Sequence, residues 1–358
     1  MVKKKKTTKV KRKPLVIKII IAFCLIIFIT LGVSAYFIYQ KLYVSNVNLG
    51  YKNSIYIYIP TGSNFNEVKK IIYEKGIIKN KSSFEWLAEK KNYIHNVKPG
   101  KYKLKTNMSN NEIINMLRAG IQEPVNLVFN NIRTKEQLAS KISQLIETDS
   151  VSLLKVMKDD QFLNQYNLSA KNVMALFIPD TYSIFWNTSA KQFVDRMYKE
   201  YKKFWTNDRK EKAKNMHLSP VEISVLASIV QQETIKPDEM SRVAGVYINR
   251  LNKGMLLQAD PTVIFAAGNF TIKRVLNKHL EIDSPYNTYK YAGLPPGPIC
   301  LPFPSTIDKV LDFEKHDYIF FCAKEDFSGY HNFAKTGAQH SQNAHKYQNA
   351  LNKRNIKK

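Results

Sequence analysis

Apolar positions along this chain fall into three regimes. From Ile19 to Tyr39 there are 21 consecutive residues without a charge, mostly Ile, Leu, Phe, Val and Ala. At about 1.5 Å per residue that run crosses a hydrocarbon core of about 30 Å. Residues 54–60 then alternate β-branched and aromatic side chains and predict a strand closed by Pro60. Phe65, Val68, Ile71 and Ile72 recur at helical spacing, with Gly76 placed to end the helix. A second short helix is expected over about residues 83–90, with Phe84, Leu87 and Ala88 on one face. Pro99-Gly100 turns the chain into an alternating strand over 101–105, so the order is β-α-α-β.

The third regime is mixed. Ser109-Asn-Asn-Glu112 matches a capping box and opens a helix ending near Gly120. Pro124 marks a boundary, residues 125–129 read as a strand, and Thr134 caps a helix with Leu138, Ile142 and Leu145 inward. Residues 150–215 read as mostly helical, interrupted at Ile178-Pro-Asp-Thr-Tyr182; beyond 255 Pro and Gly rise and the pattern predicts loop and short strand. No internal repeat is present. The fold class is α+β.

One helix carries a chemical signal. Ser219-Pro220-Val221-Glu222 combines an N-cap Ser, a Pro at the first helical position and a Glu that closes a capping box. Counting back from Glu233, the residues three, four, seven and eight earlier are Val230, Ile229, Leu226 and Val225, all aliphatic. Glu233 therefore lies on the buried stripe, with Gln231 and Gln232 off it. A carboxyl group on an apolar face is costly to ionise, so its pKa rises, which suits a general acid near neutral pH. The plainer alternative is a helix-terminal Glu that reaches solvent or pairs with Arg242 or Arg250. A second helix after Pro237-Asp238-Glu239 turns Met240, Val243, Ala244, Tyr247, Ile248 and Leu251 inward. Around it stand polar and aromatic loops: Leu257-Gln-Ala-Asp-Pro-Thr262, Asp283-Ser-Pro-Tyr-Asn-Thr-Tyr289 and Gly293-Leu-Pro-Pro-Gly-Pro-Ile299. Tyr rings stack on pyranose faces, while amides take hydroxyls, so these loops suit the walls of a sugar groove.

Charge sharpens the topology. Of 55 Lys and Arg against 29 Asp and Glu, nine fall in the first 18 residues, and no acid precedes Glu67. A basic block ahead of an apolar span puts residues 1–18 in the cytoplasm and everything after Lys41 outside. Val33-Ser34-Ala35 also resembles a signal-peptide cleavage site, but either reading exports the body of the protein. The remaining +17 over residues 19–358 is spread without a dominant run, so a nucleic-acid partner is not expected. Cys300 and Cys322 on the exported side could pair or stay as buried thiols.

Taken together, Ala227-Ser-Ile-Val-Gln-Gln-Glu-Thr234, Val243–Leu251, Gly254-Met-Leu-Leu-Gln-Ala-Asp-Pro-Thr-Val263, Ser284-Pro-Tyr-Asn-Thr-Tyr289, Gly293–Ile299, His331-Asn-Phe333 with His340, and Phe177-Ile-Pro-Asp-Thr-Tyr182 resemble the endolytic murein transglycosylase (MltG, YceG-like) family. The resemblance implies a single-span inner-membrane protein organised as a basic tail (1–18), a transmembrane helix (19–39), a LysM-like subdomain (50–122) and a catalytic domain (123–350). It implies cleavage of nascent peptidoglycan glycan strands between N-acetylmuramic acid and N-acetylglucosamine, leaving a 1,6-anhydro end, beside penicillin-binding synthases. Its catalytic glutamate falls on Glu233. Many members carry a second acid two residues earlier, where this chain has Gln231. Family members also often place Asn directly after the second His, whereas Ser341 follows His340 here.

On this reading Glu233 protonates the glycosidic oxygen and later accepts the proton of the attacking C6 hydroxyl. Gln258, Asp260 and Asn287 hold the sugar; Tyr286, Tyr289 and the Pro295-Pro296 loop keep water out. No cofactor is needed, and none of the seven His residues has a zinc-type spacing. The rivals are a muramidase-type hydrolase recruiting Asp260 or Asp283 as a second carboxylate, and a non-catalytic wall-binding scaffold.

Overall fold

The computed structural model describes residues 13–354 and divides into two compact units, one ending at Pro124 and one starting at Val125. In the first, helix α1 (Lys13–Tyr43) carries the apolar run. Its Leu15–Tyr43 stretch is long and apolar enough to cross a membrane, and none of it is buried. Strand β1 (Ser54–Ile59), helices α2 (Phe65–Glu74) and α3 (Lys81–Lys90), and strand β2 (Gly100–Lys105) follow in the expected order. β1 and β2 pair antiparallel, Ser54 opposite Lys105 and Ile59 opposite Gly100. The alternation then works as a half-buried sheet should: Ile57, Ile59, Tyr102 and Leu104 are buried with Val68, Ile72, Phe84 and Leu87 from the helices. Helix α4 (Asn110–Ala119), capped by Ser109 and Glu112 and stopped at Gly120 in the left-handed conformation, completes this core.

In the second unit, strand β3 (Val125–Val128) leads into helices α5 (Lys135–Ser143), α6 (Ser150–Met157) and α7 (Asp160–Leu163). The interruption at Ile178–Tyr182 is a strand, β4 (Thr181–Ile184), which pairs antiparallel with β3. Leu145 is exposed rather than inward, because α5 ends two residues before it. Helices α8 (Ala190–Phe204) and α9 (Asn207–Asn215) lead to α10 (Pro220–Glu233), whose residues from Ile223 to Val230 are all buried. α11 (Met240–Asn252), α12 (Asp260–Ala267) and α14 (Pro304–Leu311) pack against it, and the short α13 (Asn277–Leu280) packs against α12. Strands β5 (Phe320–Ala323) and β6 (His331–Ala334) form a hairpin, and α15 (Gly337–Lys353) follows. The region after 255 is thus more helical than the expected loop and strand. α15 buries no residue and so has no apolar stripe to read.

Ser228 ties α10 to the chain beyond it: its Oγ donates to the Val225 carbonyl at 2.7 Å and accepts from Ile299 N at 3.0 Å. Gly245 lets α11 pass close to another segment, since a Cβ there would sit 2.4 Å from the Glu314 carbonyl oxygen. Both contacts fix the two helices that carry the site.

Candidate active site

α10 ends on Glu233, and Val225, Leu226, Ile229 and Val230 are each no more than 2% exposed, so the carboxyl group rises from a dry helix face. It reaches a cavity of about 530 Å³. From α11 comes Tyr247, buried, whose Oη donates to Glu233 Oε1 at 2.6 Å. Burial raises the Glu233 pKa above all else. The Tyr247 hydrogen bond and the Arg250 charge oppose this and Asp260 adds to it, so the group is pushed up to about 7. At neutral pH such a carboxyl is poised between acid and base. Burial and the neighbouring Glu233 charge hold the Tyr247 phenol well above its ordinary value, so Tyr247 remains a donor.

Neither arginine takes up Glu233 as a salt-bridge partner. Arg242 pairs with Glu314 at 2.9 Å. Buried Arg250 spends its guanidinium on the carbonyls of Ile319 (2.7 Å), Leu256 (3.1 Å) and Leu257 (2.9 Å) and on Gln258 Oε1 (3.2 Å). Those bonds clamp the loop before α12, where Gln258 holds a left-handed backbone at φ 51°. Gln258 N also donates to the Thr288 carbonyl. With Oε1 held by Arg250, the Gln258 amide nitrogen is the group free to donate into the cavity.

Of the anticipated residues, Glu233, Gln258, Asp260 and Tyr289 line the same cavity. Tyr289 Oη donates to Asp260 Oδ1 at 2.6 Å, joining the two walls. Two expectations need correction. Asn287 is fully buried and cannot touch a sugar: its Nδ2 donates to the carbonyls of Leu280 and Ile282, and its Oδ1 accepts from Tyr289 N, so it shapes the loop that presents Tyr289. Tyr286 packs on Phe265 with ring centroids 4.7 Å apart and donates to the Lys171 carbonyl, off the cavity. Pro295 and Pro296 line a different cavity of about 770 Å³, with Tyr198 and Tyr201, near the start of α10. Asp283 accepts from Tyr291 at 2.6 Å and is also outside the Glu233 cavity.

Gln231 and Gln232 are structural. Gln231 accepts from Phe303 N at 2.6 Å, and Gln232 accepts from Arg133 at 2.6 Å. Cys300 and Cys322 are free thiols, and burial pushes Cys300 up to about 12.

The hairpin and α15 supply residues that sequence patterning did not bring to the site: Phe320, Phe321, Cys322 and Ala323 line the cavity beside His331 and His340. His340 stacks on Phe320 at 5.1 Å, its Nδ1 buried without a partner; burial, then Arg250, lowers its pKa. The signal available in the sequence was the three histidines of the tail, His331, His340 and His345, but nothing in their spacing said which of them face the cavity.

An α+β unit that places one raised carboxyl group, a tyrosine donor and an arginine-clamped amide around a polar cavity has the equipment for general acid chemistry. Residues 57–346 match the model of the YceG-like family, and the chain belongs to that family. It is 30% identical over 334 residues to a Bacillus subtilis protein named endolytic murein transglycosylase, covering 89% of this chain and 91% of the relative. A Streptococcus pneumoniae protein of the same name is 29% identical, and the match spans 61% of its length. The crystal structure of a YceG-like protein from Listeria monocytogenes superposes with a TM-score of 0.54 at 30% identity, covering 81% of this chain and 98% of that one.

Proposed function

We propose that the protein is a membrane-anchored endolytic peptidoglycan lytic transglycosylase that cuts nascent glycan strands between N-acetylmuramic acid and N-acetylglucosamine. The observation that carries this is Glu233: a carboxyl group on a dry helix end, pushed up to about 7 and held by Tyr247 at the cavity floor. Protonated, it gives its proton to the glycosidic oxygen as N-acetylglucosamine departs. Positive charge grows on C1 of the muramic sugar, and the C6 hydroxyl of the same sugar closes on C1 and gives up its proton to a base in the cavity, leaving the 1,6-anhydro end. Gln258 donates to the substrate, and Asp260 with Tyr289 forms the facing wall.

Residues 1–18 form a cytoplasmic tail and 19–39 the span in the cytoplasmic membrane, with the catalytic domain (123–350) outside. The β-α-α-β order of residues 50–122 supports a LysM-like subdomain that grips glycan. An enzyme so placed works beside penicillin-binding synthases and ends strand growth.

One observation favours a hydrolytic reading: Asp260 shares the Glu233 cavity and could activate water. The test is the product. The full chain in detergent micelles is incubated with un-crosslinked glycan strands, and the new ends are read by mass spectrometry. Non-reducing 1,6-anhydro ends support the proposal. Reducing ends, heavier by one water, overturn it in favour of hydrolysis.

A further inference from the structure

Glu239 and His331 lie 92 positions apart and meet behind the Glu233 cavity, whose wall includes His331. Glu239 precedes α11 as its N-cap residue, yet its side chain caps nothing there. Instead, at 4% exposure, it accepts from His331 N at 2.9 Å, from His331 Nδ1 at 2.6 Å and from Thr234 Oγ1 at 3.4 Å. A buried carboxylate on Nδ1 fixes the ring orientation and the tautomer in which Nε2 carries the lone pair. The His331 side chain keeps 13% exposure and lines the cavity that Glu233 enters. Phe321 connects the two sides: its ring meets His331 edge-on at 5.2 Å and Tyr247, the partner of Glu233, edge-on at 5.8 Å.

A one-carboxylate mechanism asks Glu233 to act first as acid and then as base. The Tyr247 hydroxyl already occupies Glu233 Oε1, while the His331 ring lines the same cavity as a second proton acceptor. We infer that His331 is the base for that second task, and that Glu239 is the residue that positions it; this rests on the lytic transglycosylase reading. The proton on Glu233 passes to the glycosidic oxygen as the C1–O bond breaks. The C6 oxygen forms its bond to C1, and its proton goes to Nε2 of His331. The products of the step are a Glu233 carboxylate and a His331 imidazolium, and proton transfer from the second to the first through water restores the site. The two proton transfers are thus divided between two side chains of one cavity.

The test uses the full chain in detergent micelles and un-crosslinked glycan strands, with kcat and KM measured for release of anhydro ends. His331→Ala lowers kcat by about 100-fold or more with KM nearly unchanged, as loss of a positioned base does. Added imidazole restores part of kcat to His331→Ala and none to Glu239→Gln, which loses about tenfold by freeing the ring. A kcat within about threefold of wild type, a loss confined to KM, or a folded His331→Ala that imidazole does not rescue overturns the assignment. If His331→Ala does not fold, His331→Asn is scored on kcat in the same way. Should wild type yield no anhydro ends, the transglycosylase reading fails first; if wild type and a folded His331→Ala yield them equally, only the role of His331 fails.

Discussion

Tyr247→Phe removes a single oxygen from the site and tests whether Glu233 acts in its protonated form. In the native structure that hydroxyl donates to Glu233 Oε1 at 2.6 Å and is the largest influence pulling the carboxyl pKa down against burial. A hydrogen bond to a charged group is worth about 1.5–3 kcal/mol, and about 1.4 kcal/mol corresponds to one pH unit, so the pKa of Glu233 rises by roughly one to two pH units. A general acid is competent below its pKa and fails above it. The basic limb of kcat against pH, near 7 in the wild type, therefore moves upward by about one to two pH units in the variant. The assay is the initial rate of anhydro-end release across pH 5–10, at saturating glycan, with melting temperatures measured at each pH. The ring itself is retained, so Tyr247 still packs edge-on against Phe321. A basic limb that stays in place or moves downward would refute the claim that the Glu233 proton is the one transferred.

The same carboxyl group makes wild-type stability depend on pH. The native protein binds the Glu233 proton to about 7 against an ordinary 4.5, so its stability is full below 4.5 and falls as pH rises through about 7. Relative to wild type, Glu233→Gln gains up to about 3 kcal/mol between pH 4 and pH 8, read as a pH-dependent difference in melting temperature; a constant difference contradicts the raised pKa. Gly245→Ala gains helix propensity, but its new Cβ meets the Glu314 carbonyl at 2.4 Å and His316 Nε2 at 2.7 Å. It destabilises by about 1–3 kcal/mol in thermal denaturation. Arg250→Met takes the donor from the buried Leu257 carbonyl and the half-buried carbonyls of Leu256 and Ile319 and unclamps Gln258, costing about 3 kcal/mol in stability and raising KM for glycan strands.

Local chemistry was readable from the sequence; long-range pairing was not. Ser219, Pro220 and Glu222 specified the start of α10, but the expected one-sided stripe did not hold: Ile223 to Val230 are buried on every face, and Glu233 at the helix end is half-buried like Gln231 and Gln232. The β-α-α-β order was likewise legible, since each element carries its own stripe or alternation. β4 was hidden by Pro179 and by its need for β3, more than 50 residues earlier, as a partner. Asn287 and Tyr289 were indistinguishable in a polar loop. Only the fold shows that one is buried under the backbone while the other faces Asp260. Tyr247 read as an inward helix position, which it is, but its bond to Glu233 crosses between two helices. The pairing of Glu239 with His331 spans 92 residues, a distance at which no periodicity speaks.

Whether one glutamate starts glycan cleavage is decided by setting the wild-type chain beside Glu233→Gln. Both are incubated with un-crosslinked strands, strand binding is measured by sedimentation, and new ends are counted by mass spectrometry. The variant is expected to bind strands as the wild type does and to release no 1,6-anhydro ends. Equal cleavage by the two proteins would contradict this.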